Sequence, residues 1–389
     1  MPDVRELTPD DLDDAWQLGR LAFGSDPQPP PPPNTAGRTS WGAFHPTTGQ
    51  LIGKAVDLHD EQWWSGHVVP AADVAGVAVA AEARGSGVAR ALLTTLLRSA
   101  RDRGAAVSTL FPTTAAPYRA CGWEITGQLR TLDLPTATLP RHRTDPRLTV
   151  RTGTTADLPA TAELYRRVAH HRNGLLTRTH RRFTATDNLP YDGLTVVEHD
   201  GQLVGYAGWN RGRGYGPDAI LTVDDILATT AEAARALVDV LASWYSVTPT
   251  LRLTPLPGDT ISTHLPLERA REHERDAWMH RPVDIARAVA ARGWPTHTRG
   301  QVTFTLTDDL ADWNTGTWQL TVADGHADLS RSSTDPDLHL TVRGFARLYT
   351  GTATARTLAE TGLLHHSTPD PSALDLLAAG PTAHLIDYF

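Results

Sequence analysis

Residues 4–18 and 150–164 of this chain agree at six positions in register: Val4 and Val150, Arg5 and Arg151, Thr8 and Thr154, Asp11 and Asp157, Leu12 and Leu158, Leu18 and Leu164. Further on, Thr48-Gly-Gln-Leu-Ile-Gly-Lys-Ala55 is echoed by Asp200-Gly-Gln-Leu-Val-Gly-Tyr-Ala207. The offset drifts only from 146 (150 less 4) to 152 (200 less 48). Self-similarity at a fixed period means one supersecondary plan used twice. Each copy opens with a strand, a turn and a helix, with Thr8 and Thr154 as candidate N-caps. Each later shows a Gly-Gln turn before an apolar strand, as a hairpin does. Two like-built α/β units of about 145 residues follow from the repeat.

From Asp284 onward the pattern changes. Asp284–Arg292 has helical spacing and stops at Gly293. Gln301–Leu306 and Thr317–Val322 alternate as strands, and Asp324-Gly325 is a hairpin signal. Asp337–Val342 reads as another strand and Gly344–Tyr349 as a short helix. The expected fold class is α/β (α+β), with units over 1–140 and 147–283 and a small α+β domain over 284–389. Proline marks the joints. Leu134–Pro146 reads as the linker between the two units. Pro27 with Pro29–Pro33 reads as a surface loop or cleft rim in extended polyproline II.

Composition narrows function by exclusion. A formal net charge of −8 argues against general nucleic-acid binding, which needs a basic surface. It suits a cationic small substrate, and plain solubility explains it as simply. The single cysteine, Cys121, excludes a disulfide framework and a cysteine-built zinc site. The adjacent pairs His170-His171 and His365-His366 lack the spacing of a shared metal site, so no metal is expected. No run of about 18 apolar residues is present, and the N-terminus lacks a basic-then-apolar leader. No membrane partner is expected, and the cytoplasm is the expected compartment.

One segment has the form that gripping a phosphate requires. Val74–Val79 is a short apolar strand and Arg84-Gly-Ser-Gly-Val-Ala89 a glycine turn. Ala91, Leu92, Leu93, Leu96 and Leu97 then line a broad helix face that Gly104 can cap. Strand, turn and helix in that order present free N–H groups and the positive end of the helix dipole. The local pattern Arg/Gln-x-x-Gly-x-Gly/Ala is weak alone, since it starts at Gln50, Arg84, Arg101, Gln202 and Arg211. Only Arg84 has a strand before it and a helix directly after.

This segment resembles the acetyl-CoA loop of the GNAT acetyltransferases, and Leu110–Trp123 resembles that family's next strand and its Tyr-x-x-x-Gly-Trp segment. Tandem units, then Trp278-Met-His-Arg-Pro-Val-Asp284, a sterol-carrier-protein-like domain and a final Asp387-Tyr388-Phe389 are similar to the enhanced intracellular survival (Eis) family of N-acetyltransferases. The resemblance covers essentially the whole length. It implies tandem GNAT domains, a C-terminal sterol carrier protein-like domain, acetyl-CoA as cosubstrate and a homohexamer. It implies that backbone groups of Val77, Ala78 and Val79 pair with the pantetheine arm. Arg84, Gly85, Ser86, Gly87, Val88, Ala89 and Arg90 would surround the pyrophosphate, with Thr113 and Thr114 nearby. Tyr118 would be the general acid and the α-carboxylate of Phe389 the general base. In the second copy no glycine turn stands between Ile220–Asp225 and the helix over Thr230–Trp244, so that copy is expected to bind no acetyl-CoA and to serve as scaffold and cleft wall.

Amine acetylation needs a neutral nucleophile and a protonated leaving thiolate. A tyrosine of pKa about 10 can donate to a thiolate of about 8.5 with modest help from positioning. A carboxylate near 3.5 facing an ammonium near 10 falls about 7 units short, roughly 9 kcal/mol in water. The carboxylate must be partly desolvated, act through water, or mainly orient the amine. The expected reaction is direct transfer, without an acyl-enzyme, to amines of small polycationic molecules, aminoglycosides among them. The alternatives are protein or peptide amines, and a non-catalytic acyl-CoA or lipid-binding protein. Cys121 reads as a small buried apolar residue rather than a reactive thiol. Trp63 and Trp64 read mainly as core. Asp26 and Asp387 are candidates to hold a substrate ammonium, with solvated surface as the competing reading.

Overall fold

The computed structural model describes residues 2–24, 37–180, 183, 188–368 and 370–389. Asp26 and the proline run lie outside them. The first unit contains β1 (Asp3–Glu6), α1 (Leu12–Phe23), β2 (Arg38–Phe44), β3 (Leu51–Trp64), β4 (His67–Val79), α2 (Val88–Arg103), β5 (Val107–Leu110), α3 (Ala115–Arg119) and β6 (Glu124–Pro135). The second contains β7 (Leu148–Thr152), α4 (Leu158–Ala169), β8 (Asn173–Leu176), β9 (Gly193–His199), β10 (Gln202–Arg211), β11 (Ile220–Ala228), α5 (Ala231–Ala242), β12 (Thr250–Leu253) and β13 (Arg271–Pro282).

The repeated residues do the same work in both copies. The Thr8 N–H and hydroxyl both donate to Asp11, at 2.7 Å each, and Arg5 pairs with that carboxylate at 2.7 Å. The Thr154 N–H and hydroxyl donate to Asp157 at 2.8 and 3.3 Å, and Arg151 pairs with Asp157 at 2.7 Å. These side chains satisfy N–H groups that a helix start leaves orphaned. The hairpin signal holds as well: Asp200 and Gly201, at φ 49° and 73°, turn the chain between β9 and β10.

Thirteen strands share one sheet, ordered β1-β2-β3-β4-β5-β13-β6-β12-β11-β10-β9-β7, with β8 added beside β3. The order reveals an exchange. The last strand of each unit lies against the other unit: β13 pairs with β5 (Met279 opposite Leu110) and β6 pairs with β12 (Leu134 opposite Leu251). Met279 is fully buried in the core beneath α2, while Leu134 is fully buried in the core beneath α5. Burying side chains of this size contributes roughly 1.5–3 kcal/mol each, so the exchange ties the two cores together. It also corrects the linker reading, because Leu134 and Pro135 belong to β6.

The third unit holds α6 (Ile285–Ala291), β14 (Gly300–Thr307), β15 (Gly316–Ala323), β16 (His326–Arg331), β17 (Leu338–Thr341), α7 (Val342–Tyr349), α8 (Ala355–Glu360) and β18 (Leu364–His366). Its sheet runs β16-β15-β14-β17-β18. Phe304, Leu320, Phe345 and Leu348 form a core continuous with Trp64 and Trp278. A fully buried Arg281–Asp308 ion pair (2.6 Å) fastens β13 to it. The chain beyond Ala379 then runs back over β8, where the His384 N–H donates to Asn173 O at 2.8 Å.

Candidate active site

β4 and β5 are parallel and pair only at Ala71–Asp73 with Val107–Thr109. Beyond that the strands part. A bulge accompanies the parting: Lys54 faces Ala78 and Val56 faces Ala75, so Gly76 and Val77 together oppose Ala55. Gly76 sits at φ 56°, which costs glycine nothing. Val77, Ala78 and Val79 form one lip of the cleft.

The turn beyond this lip carries two positive-φ glycines and leads straight into α2. Gly85 and Gly87 lie at φ 78° and 87°, and a Cβ on either would meet nothing within 4 Å. Gly87 occupies the N-cap of α2 and brings no side chain to cap it. Among the described residues the N–H groups of Gly85, Gly87, Val88, Ala89 and Arg90 therefore have no acceptor. They stand at the positive end of a sixteen-residue helix. Arg84 is exposed, with Nε 3.4 Å from Val79 O, and the Ser86 hydroxyl donates to Ala83 O at 2.6 Å. The Arg90 guanidinium donates to Ala120 O (2.9 Å) and Asp309 O (3.3 Å), away from the turn.

The other lip follows β5. Thr113 and Thr114 are exposed and lead into α3, which carries Tyr118. The Cys121 and Trp123 N–H groups both donate to Tyr118 O, at 2.9 and 3.1 Å. This reversal needs Gly122, at φ 91°, because a Cβ there would collide with the Arg281 guanidinium. The Tyr118 ring meets the buried Trp123 ring edge-on at 6.5 Å. Burial, and secondarily Cys121, pushes the Tyr118 hydroxyl up to about 12. Cys121 is 3% exposed and part of the core, and burial raises its thiol as well. Trp63 and Trp64 are likewise core residues.

Phe389 arrives at the same end of the cleft. Phe111, the residue after β5, meets the Phe389 ring edge-on at 5.3 Å and the Tyr388 ring at 4.7 Å. The turn follows β4, while Thr113, Thr114 and Tyr118 follow β5, whose next residue, Phe111, contacts Phe389. Asp387 is not a waiting site for an ammonium: it is 9% exposed and pairs with Arg178 at 2.9 Å. Sequence reasoning missed Arg178, although an acid in the otherwise apolar run Leu385-Ile-Asp-Tyr-Phe389 calls for a buried cation.

The second unit opens its sheet the same way. β11 and β12 pair over Ile220–Val223 with Thr250–Leu253 and then part, with a bulge at Asp224. Only Thr229 and Thr230 separate β11 from α5, and the Thr230 hydroxyl accepts the Ala233 N–H at 3.1 Å. The helix start is already capped, and the positive-φ glycine turn is absent.

A splayed parallel pair with an uncapped glycine turn at the following helix defines an acyl-CoA-dependent transferase of the GNAT class. Residues 3–126 and 174–288 each match the family described as acetyltransferase (GNAT) domain, and residues 285–386 match the sterol carrier protein domain. An uncharacterized N-acetyltransferase of Streptomyces avermitilis is 28% identical over 322 residues, 78% of each chain. The crystal structure of a GCN5-related N-acetyltransferase from Anabaena variabilis superimposes with a TM-score of 0.88 at 23% identity, covering 100% of both chains. Eis1 from Mycobacterium abscessus does so with a TM-score of 0.78 at 23% identity, again over 100% of both. The chain belongs to the GNAT N-acetyltransferases, carries two such domains and a C-terminal sterol carrier protein domain, and shares this three-part fold with Eis1. No helix among the described residues is long and apolar enough to cross a membrane.

Proposed function

We propose that the chain transfers the acetyl group of acetyl-CoA directly to amines of small polycationic molecules, aminoglycosides among them. The transfer takes place in the first GNAT domain alone, and the protein works as a cytoplasmic homohexamer. What supports this reading is an uncapped glycine turn after β4 and, after the parallel β5, a half-buried tyrosine and a Phe111 that contacts Phe389. When bound, acetyl-CoA supplies a thioester as the electrophile. The N–H groups of Gly85, Gly87, Val88, Ala89 and Arg90 suit a diphosphate, and the absence of side-chain bulk at both glycines leaves its approach open. The edge of Val77–Val79 that β5 no longer covers suits an extended arm, as an added strand would.

Tyr118 keeps its proton throughout the physiological range. With a hydroxyl near 12, donation to a thiolate of about 8.5 is uphill by roughly 5 kcal/mol at rest. That is a weaker acid than an unburied tyrosine, so it donates a hydrogen bond first and yields the proton only as charge gathers on sulfur. The Phe389 carboxylate orients the acceptor amine and takes its proton as the nitrogen acidifies. Release of free thiol from acetyl-CoA, measured against a panel of polyamines, aminoglycosides and peptide amines, tests this. Turnover with the small amines is expected. Thiol release with peptides alone would move the substrate class to proteins, and none with any amine would end the enzymatic reading.

A further inference from the structure

The second GNAT domain holds a charged cluster that this chemistry leaves unused. Arg178, two residues past β8, has φ 56° and lies between two carboxylates. Its Nη1 donates to Asp225 Oδ2 at 2.6 Å, its Nε to Asp387 Oδ1 and Oδ2 at 3.1 and 3.2 Å, and its Nη2 lies 2.9 Å from Asp387 Oδ1. The Tyr206 hydroxyl donates to Asp225 at 2.7 Å, and the guanidinium stacks 3.8 Å from the centre of the Tyr165 ring. Asp225 stands on β11 beyond the last pairing with β12, in the stretch that matches the Val77–Val79 lip of the first domain. The tail is tied down nearby. Asn173 Nδ2 donates to Pro381 O at 2.7 Å, and Gly174, at φ 88°, passes so close that a Cβ would lie 2.7 Å from His384 O.

We infer that the second domain serves as a clamp, in which Arg178, bridging Asp225 and Asp387, is the positioning residue that fixes Tyr388 and Phe389 at the first domain's active site. A chain end frays unless it is held, and a fork-shaped cation between two carboxylates fixes both distance and direction. Phe389 lies two residues beyond Asp387, so its Cα can lie at most about 7 Å from the Asp387 Cα, which keeps the carboxylate near the anchor. The inference rests on the proposed role of that carboxylate.

Asp387→Asn tests it and leaves the Arg178–Asp225 pair in place. kcat should fall about tenfold or more, with the KM for acetyl-CoA changed less than about twofold. In a chain ending at Tyr388 the same substitution should add no further loss, because a positioning residue has nothing left to position. Amide exchange at the His384 N–H should quicken in Asp387→Asn and in Arg178→Met, and Arg178→Lys should restore part of the protection. Equal rate losses in both chain lengths, or unchanged exchange at His384, would overturn the clamp. If removing Phe389 leaves kcat intact, the base assignment falls, and the exchange result alone then upholds or overturns the clamp.

Discussion

Between β4 and α2 the first GNAT domain runs through Ala80 to Gly87, with two glycines at positive φ and a helix start left uncapped; between β11 and α5 the second has only Thr229 and Thr230, and Thr230 caps the helix. Both sheets open past the same short parallel pairing. The opening is therefore a property of the duplicated scaffold, and the uncapped glycine turn is a property of one loop. Without that turn, the second opening carries Asp225, which through Arg178 reaches the tail. In the proposed reading one copy provides the bond-making site and the other the frame that holds the tail to it.

The largest expected effect comes from the tail. Residues appended after Phe389 should lower kcat on the order of 100-fold, with cofactor affinity kept, since they displace a charge that acts on the first domain only. A fully active tagged chain would break the division of labour. Next, Tyr118→Phe should lower kcat about tenfold or more at unchanged KM for acetyl-CoA. Gly87→Ala and Thr230→Ala form a matched pair across the duplication. At φ 87° an alanine costs about 1–2 kcal/mol, so Gly87→Ala should weaken coenzyme A binding about tenfold. Thr230→Ala should cost about 1 kcal/mol of stability and leave that affinity untouched. Calorimetry and denaturant unfolding on both variants read the contrast.

A further effect, on acid stability and not on activity, concerns the exchanged strand β13. His280 is fully buried there, between Trp64, Trp278 and Tyr349, and burial lowers it to about 3. Its folded value lies below the unfolded value of about 6.5, so the unfolded chain takes the proton first. Its contribution is intact above pH 6.5 and erodes as pH falls toward 3, by about 2 kcal/mol at pH 5. His280→Phe should flatten that part of the acid dependence, seen as denaturant midpoints at pH 7 and 5. The raised Tyr118 value works in the opposite range: no loss of rate from its ionisation is expected below about pH 10.

Much of this was legible from residues that act on their neighbours in sequence. The Thr-to-Asp turns, the Gly-Gln hairpins and the strand, glycine turn and helix around Arg84 depend on local geometry, and each appears where the pattern puts it. The strand exchange was not legible, because β6 and β13 alternate like any half-buried strands and partner choice is a matter of distant pairing. The partners of the Arg90 guanidinium were not legible for a related reason: its place beside the turn is local, but the carbonyls it donates to lie at Ala120 and Asp309. The clamp is the most distant of all, joining Arg178 to an aspartate 209 residues later in a chain where 36 residues are basic.

Coenzyme A titrated into the whole protein by calorimetry tests the single-site division most directly. One molecule per chain, weakened by Gly87→Ala and unmoved by Thr230→Ala, is expected. Two molecules per chain, or binding indifferent to Gly87, would contradict it.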